Sequence, residues 1–179
     1  MHPLGHMAVA CGIVWAGAHA IERVRSSNGL SPPSPARIAD AIDYRLVMIG
    51  ALLPDLVDKP IGRVFFRSQF DGNGHLIGHT LLFALVILLP GLYLMARLRD
   101  PRVLAIGVAD LTHLLVDPIN HAPQTFFWPL LGTGFQHVTF LGPRLTVLEE
   151  TVAAALFAGV GYLLYKQNRL EQFMQSGRL

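Results

Sequence analysis

Of the 179 residues, 52% are hydrophobic and 15% charged, and the mean hydropathy is strongly positive, a balance that argues against a soluble domain and for a membrane protein. The net charge of +2 is too small for a nucleic-acid partner, and the basic residues are scattered instead of forming a stripe with interleaved aromatics. The one cysteine, Cys11, lies in an apolar run and cannot close an intrachain disulfide, so it reads as a small buried hydrophobe.

Five apolar segments follow one another along the chain. The first, Leu4 to Ile21, contains His6 near its start and His19 near its end. Its "AGAHA" stretch has the small-x-small pattern of a signal-peptidase site, but no basic residue precedes the run, so the segment is read as retained. A Ser/Pro/Gly stretch, "RSSNGLSPPSPAR", then predicts an exposed loop over residues 26–37. The second segment, Leu46 to Val57, runs into "PDLVDKP", which sets Asp55 and Asp58 three residues apart behind a proline. The third, Leu76 to Ala96, is opened by His75 and His79, the fourth, Val103 to Val116, ends at His113 and Asp117, and the fifth is Leu145 to Tyr165. A helix needs about 20 residues to cross a bilayer, so the second and fourth are short and are expected to continue at their ends or to stop partway, packed against protein. The prediction is an all-α, polytopic membrane helix bundle of about four to five apolar helices, some half-spanning, in a single domain over residues 1–179 with a polar C-terminal tail at 166–179.

Lysine and arginine accumulate in cytoplasmic loops. With the N-terminus outside and five alternating segments, the inner side holds Arg23, Arg25, Arg37, Arg45, Arg97, Arg99, Arg102, Lys166, Arg169 and Arg178, ten of the fourteen basic residues. The outer side keeps Lys59, Arg63, Arg67 and Arg144. The bias favours an outer N-terminus and a cytoplasmic C-terminus in the cell membrane.

This alternation puts His6, Asp55, Asp58, His75, His79, His113 and Asp117 at the same end of the bundle, and reversing the whole protein would leave that clustering intact. Spacings of three or four residues share a helix face, and the pairs His75/His79, His113/Asp117 and Asp55/Asp58 all satisfy it. Imidazole and carboxylate together suit zinc, with manganese or iron as alternatives. More ligands are present than one zinc needs, so one or two ions are expected, with aspartates as bridging groups. Ionisable groups at this depth are costly and are functional candidates by default. His19, about 20 Å along the helix from His6, is instead read as a packing histidine. His121, His137, Glu149 and Glu150 lie on the outer side as supporting or substrate groups. Asp110 shares the face of His113 but lies about 10 Å deeper than Asp117, and is expected to orient a ligand histidine.

The stretches "LGHMAVACG", "GALLPDLVD", "GHTLLFAL" and "THLLVDPINHAPQTFFWP" resemble, in order, the motifs of the YdjM-like family of membrane-bound proteins, described as metal-dependent hydrolases. The resemblance covers Gly5 to Pro129. It implies His6, Asp55, Asp58, His79, His113 and Asp117 as the metal set, with Trp128 and Pro129 shaping the outer rim. His75 stands where the family has arginine, Gly78 replaces a threonine and Thr80 a serine. The second aspartate also falls three residues after the first, where two are usual.

The chemistry expected of such a centre is hydrolysis, with Asp58 or Glu150 as the unligated general base. A phosphoester or lipid headgroup at the interface is the expected substrate, and membrane lipid the expected partner. Two other readings come from different classes. One is metal or ion transport, for which polar residues should continue across the membrane. The other is a structural ion clamping helix ends together with no open position.

Overall fold

The computed structural model describes residues 3–28, 41–117, 122–137 and 143–179, and these contain helices and turns with no strand. The elements are α1 (Pro3–Ser27), α2 (Tyr44–Pro60), a wide π-type turn (Ile61–Phe65), a single-turn α3 (Arg67–Phe70), a 3-10 turn (Ile77–His79), α4 (Leu81–Leu98), α5 (Arg102–Val116), a second single turn α6 (Pro123–Phe126), α7 (Pro143–Lys166) and α8 (Leu170–Ser176). The chain is an all-α membrane bundle.

Local chemistry sets the helix starts. The Asp43 side chain accepts from the Arg45 N–H at 3.0 Å ahead of α2, and Thr80 Oγ1 accepts from the Phe83 N–H at 3.0 Å ahead of α4, each satisfying a donor that the first helical turn leaves unpaired. The wide turn after α2 is closed by the Phe66 N–H bonding back five residues to the Ile61 carbonyl at 2.9 Å.

Helix α5 lies between α2 and α4, and α1 packs on α2, α5 and α7. These approaches need small residues. A Cβ on Gly50 would stand 2.4 Å from the Ile106 carbonyl oxygen, and one on Gly107 would stand 2.8 Å from the Leu88 Cα. Without a hydrophobic force between helices in lipid, close backbone packing of this kind holds the bundle together. Ala10, Val47, Ala51 and Ala109 form the core where α1, α2 and α5 meet.

The spans Pro3–Val24, Leu81–Leu98 and Arg144–Lys166 are long and apolar enough to cross a membrane. Helix α5 has 15 residues, a rise of about 22 Å, which falls short of a hydrocarbon core of about 30 Å. It is one of the most enclosed elements, so its polar groups face protein and not lipid.

Three sequence expectations change. The third segment becomes helical at Leu81 and not at Leu76. Ser26 and Ser27 of the expected loop belong to the end of α1, while residues 29–37 lie outside the described residues. The C-terminal tail is not simply polar: it forms α8, whose Met174 carbonyl accepts from Arg45 Nη1 at 2.7 Å, and the Gly177 carbonyl after it accepts from the Tyr44 N–H at 2.8 Å.

Candidate metal centre

Four elements converge at one end of the bundle. The start of α1 brings His6, the end of α2 brings Asp55 and Asp58, the turn before α4 brings His75 and His79, and the end of α5 brings His113 and Asp117. All seven side chains are buried, Asp55 being the most accessible at 7%. Seven ionisable groups cannot stay together out of water unless they are paired, hydrogen-bonded or holding a cation.

Six of them form two abutting triads, His6 with Asp55 and His113, and His75 with His79 and Asp117, each offering ligand atoms within 4.8 Å of one another. The triads touch. His79 Nε2 lies 3.2 Å from His113 Nε2 and 3.5 Å from Asp55 Oδ1, His75 Nε2 lies 3.2 Å from Asp117 Oδ2, and His6 Nε2 lies 3.6 Å from Asp117 Oδ1. Ligand atoms about 2.0–2.1 Å from a tetrahedral zinc ion stand about 3.3 Å from each other, so these separations suit a shared ion.

The hydrogen bonds behind the rings sharpen this. His113 Nδ1 lies 2.6 Å from the Ala51 carbonyl oxygen, which can only accept, so Nδ1 carries the proton and Nε2 presents a lone pair. His79 Nδ1 donates to Asp58 Oδ2 at 2.7 Å, which frees its Nε2 in the same way. With both rings neutral the two lone pairs face one another at 3.2 Å, an arrangement relieved either by a proton on His79 Nε2 or by a metal ion beside the pair. Neither ring nitrogen of His6 has a hydrogen-bond partner among the described residues, although the ring is buried and stacked on His113 at 3.8 Å. A buried imidazole with both nitrogens unused fits a ligand waiting on an ion. The donor set therefore fits a divalent metal.

Asp58 stands outside both triads. Its oxygens accept from the Leu76 N–H at 2.6 Å, the Gly78 N–H at 2.8 Å, the His79 N–H at 3.0 Å and the His79 ring. Four donors leave little of the carboxylate for a metal or for a proton in transit, so the structure gives Asp58 the position of a support: it folds the 76–79 turn and aims His79. Gly78 is needed there, since a Cβ would stand 3.0 Å from Asp58 Oδ1. His75 and His79 consequently do not share a helix face as their spacing suggests. They meet edge to face at 4.4 Å because Asp58 curls the backbone between them. Asn73 Oδ1 accepts from the His75 N–H at 3.0 Å, and its amide donates to the Phe135 and Gln136 carbonyls.

Electrostatics follow the same division. Burial disfavours a charged His79, but the neighbouring Asp55 and Asp58 carboxylates outweigh it and raise its pKa above the usual value. His75 goes the other way, because burial lowers its pKa and Asp117 only partly compensates. Burial would raise the Asp117 pKa, yet the imidazoles of His6 and His75 beside it reverse this and hold it well below the ordinary carboxylate range.

The remaining candidates separate. Asp110 is fully buried with neither oxygen partnered among the described residues, and the Ala51 carbonyl, not Asp110, orients His113. Glu150 reaches from α7 to the start of α1, accepting from the Gly5 N–H at 2.9 Å and the Leu4 N–H at 3.3 Å. Trp128 stacks on Phe135 at 5.9 Å in the segment that Asn73 holds. His19 donates to the Trp15 carbonyl at 2.9 Å and sits far from the cluster, as a packing histidine would. His137 is exposed, Glu149 is half-buried, and His121 lies outside the described residues. Sequence reasoning missed Lys59, which pairs with Asp55 Oδ2. Its position four residues along the same helix was the available signal.

A model of the YdjM inner membrane protein family matches residues 1–173, nearly the whole chain, and the chain belongs to that family. No curated protein matches it, and no solved structure matches it.

Proposed function

We propose that this member of the YdjM inner membrane protein family is a metal-dependent hydrolase acting on a phosphoester at the membrane interface, with the N-terminus and the centre on the extracytoplasmic side and the C-terminus in the cytoplasm. The observation that carries the reading is the approach of the Nε2 atoms of His79 and His113, 3.2 Å apart within a ring of buried His and Asp donors.

His6, Asp55 and His113 would hold one ion and His75, His79 and Asp117 a second, with zinc the best fit to mixed imidazole and carboxylate and manganese or iron next. Such ions, when bound, polarise an ester oxygen and make water a nucleophile near neutral pH. The protein's own part is positional. Asp58 and the Ala51 carbonyl fix the tautomers of His79 and His113, and Lys59 neutralises the Asp55 oxygen turned away from His79. With Asp58 occupied by four N–H donors, Glu150 remains the carboxylate to test as a proton acceptor.

The uniformly deep burial of the ligands favours a second reading, a closed structural site that fastens the ends of α1, α2 and α5. Purified protein in detergent distinguishes the two. A hydrolase loaded with zinc or manganese cleaves phosphoesters, and chelation abolishes the activity. A clamp melts higher with the ion, cleaves nothing, and gives manganese-loaded samples no fast water exchange in relaxivity measurements.

A further inference from the structure

Two glycines bring an arginine onto the backbone of the metal cluster. Gly62, in the wide turn after α2, lies so close to the 73–75 segment that a Cβ would stand 1.7 Å from the Asn73 carbonyl oxygen. Opposite it, Gly74 leaves room for Arg63, since a Cβ there would stand 2.8 Å from Arg63 Nε and 2.9 Å from Nη2. The guanidinium therefore rests on the residue immediately before His75, whose ring contacts Asp117 at 3.2 Å.

Arg63 is exposed. Among the described residues no carboxylate pairs with it: Asp55 is engaged with Lys59, Asp58 with four N–H donors and Asp117 with His75, and the exposed Asp71 forms no ion pair with it. The same turn leaves Val64, Phe65 and Phe66 exposed at 70%, 73% and 46%, with a second cation, Arg67, directly after them. Aromatic side chains between arginines suit the headgroup boundary of a bilayer, where rings lie among acyl chains and guanidinium groups meet phosphate. A planar guanidinium offers phosphate two parallel N–H donors.

We propose that Arg63 recognises the phosphate of a membrane lipid at the metal centre, with Val64, Phe65 and Phe66 lying along the lipid's apolar body. This rests on the phosphoester reading of the site and names the source of the phosphate. Gly62 and Gly74 are, on this view, the residues that let the guanidinium lie against the backbone that leads into His75.

The test uses the full chain in neutral detergent, loaded with zinc, and measures binding of dihexanoyl phosphatidic acid and of inorganic phosphate by calorimetry. Wild-type protein should bind the lipid phosphate about tenfold or more tightly than inorganic phosphate. Arg63→Ala should weaken lipid-phosphate binding by roughly tenfold or more, the loss expected for a charge-assisted hydrogen-bond pair. Arg63→Lys should recover only part of it, and Gly74→Ala, which displaces the guanidinium without removing it, should weaken binding too. All three variants should retain the wild-type zinc content, which reports an intact centre. Arg63→Ala binding within twofold of wild type overturns the assignment of Arg63 and leaves the hydrolase reading standing. Equal affinity for the two probes overturns the lipid source. If zinc-loaded wild type binds neither probe, the phosphoester reading falls and the role of Arg63 with it.

Discussion

His79 and His113 turn their Nε2 atoms toward each other at 3.2 Å while each Nδ1 donates away from the other, to Asp58 and to the Ala51 carbonyl. Two neutral imidazoles in those tautomers repel across that gap. An ion bound at either ring would relieve the repulsion.

His79→Ala and His113→Ala should each lower the metal content of purified protein, since each removes one ligand of its triad. At an ion concentration of about one hundred times Kd, a bound ion stabilises the protein by about 2.7 kcal/mol, so each variant should melt below loaded wild type and respond less to chelator and to added zinc. His19→Ala, whose ring bonds the Trp15 carbonyl, should leave metal content unchanged. Wild-type protein that holds no more metal than His79→Ala would reduce the cluster to a polar packing network.

Asp58→Asn addresses the support and not the ligands. Removing the partner behind a metal-bound histidine costs about 10–100-fold in affinity, and the amide would turn an N–H₂ group toward donors that now meet an oxygen. The variant should bind zinc correspondingly more weakly and be less stable by about 1–3 kcal/mol for each buried N–H left unsatisfied. Titration against a zinc-selective chelator measures the first effect and urea denaturation the second. Unchanged affinity would return Asp58 to the list of candidate bases.

Much of this was readable beforehand because apolar length and the position of polar residues at segment ends are one-dimensional signals. His6 at one start and His113 at another end needed only alternation of segments to be brought together. The stretch from Leu76 to Thr80 was not readable, since its apolar composition continues the helix while its backbone N–H groups are taken by Asp58, some twenty residues earlier in the chain. The pairing of His75 with His79 was thus anticipated on helical spacing and arises from a tertiary turn. Nothing in the sequence distinguishes a carboxylate that binds an ion from one saturated by N–H donors, which is why Asp55 and Asp58 looked alike. Asp110 looked like a support for His113 because it shares the helix face, whereas the α2 backbone reaches that ring first.

The pH dependence of stability should differ between loaded and metal-free protein. Burial opposes the His79 cation, yet Asp55 and Asp58 raise its pKa in the folded metal-free state. The protonated ring therefore stabilises metal-free protein fully below the unfolded value of about 6.5, and that contribution is lost as pH rises through the raised pKa. In the loaded protein His79 would hold an ion through Nε2 in place of the proton, and competition from protons would weaken as pH rises. Paired thermal melts between about pH 6 and pH 8.5 should accordingly show a gap between loaded and metal-free protein that widens with pH. A gap that narrows would mean that protons do not compete for this ring.

Orientation is tested by labelling in intact cells. Ten of the fourteen basic residues fall on the side assigned to the cytoplasm, so a tag after Leu179 should be protected and one before His2 accessible to an impermeant reagent. The reverse pattern would put the centre in the cytoplasm and remove the argument for an extracytoplasmic substrate.

Glu150 separates structure from chemistry most cleanly. Its carboxylate accepts from the Leu4 and Gly5 N–H groups, so it caps α1 from α7 and anchors the turn that carries His6. Loss of such a cap costs about 0.5–2 kcal/mol, and exchanging the carboxylate for an amide surrenders its attraction to the positive end of the helix, about 0.3–1 kcal/mol. Glu150→Gln should therefore lower stability by about 1 kcal/mol while leaving zinc content at the wild-type level. If capping is all that Glu150 does, turnover of a phosphoester by the loaded variant should stay within a few-fold of wild type at a temperature where both are folded. A proton acceptor predicts the opposite combination, full metal content with turnover reduced about 100-fold or more. Measuring metal, melting temperature and rate on one preparation decides between them, because the cap moves the second quantity and the base moves the third.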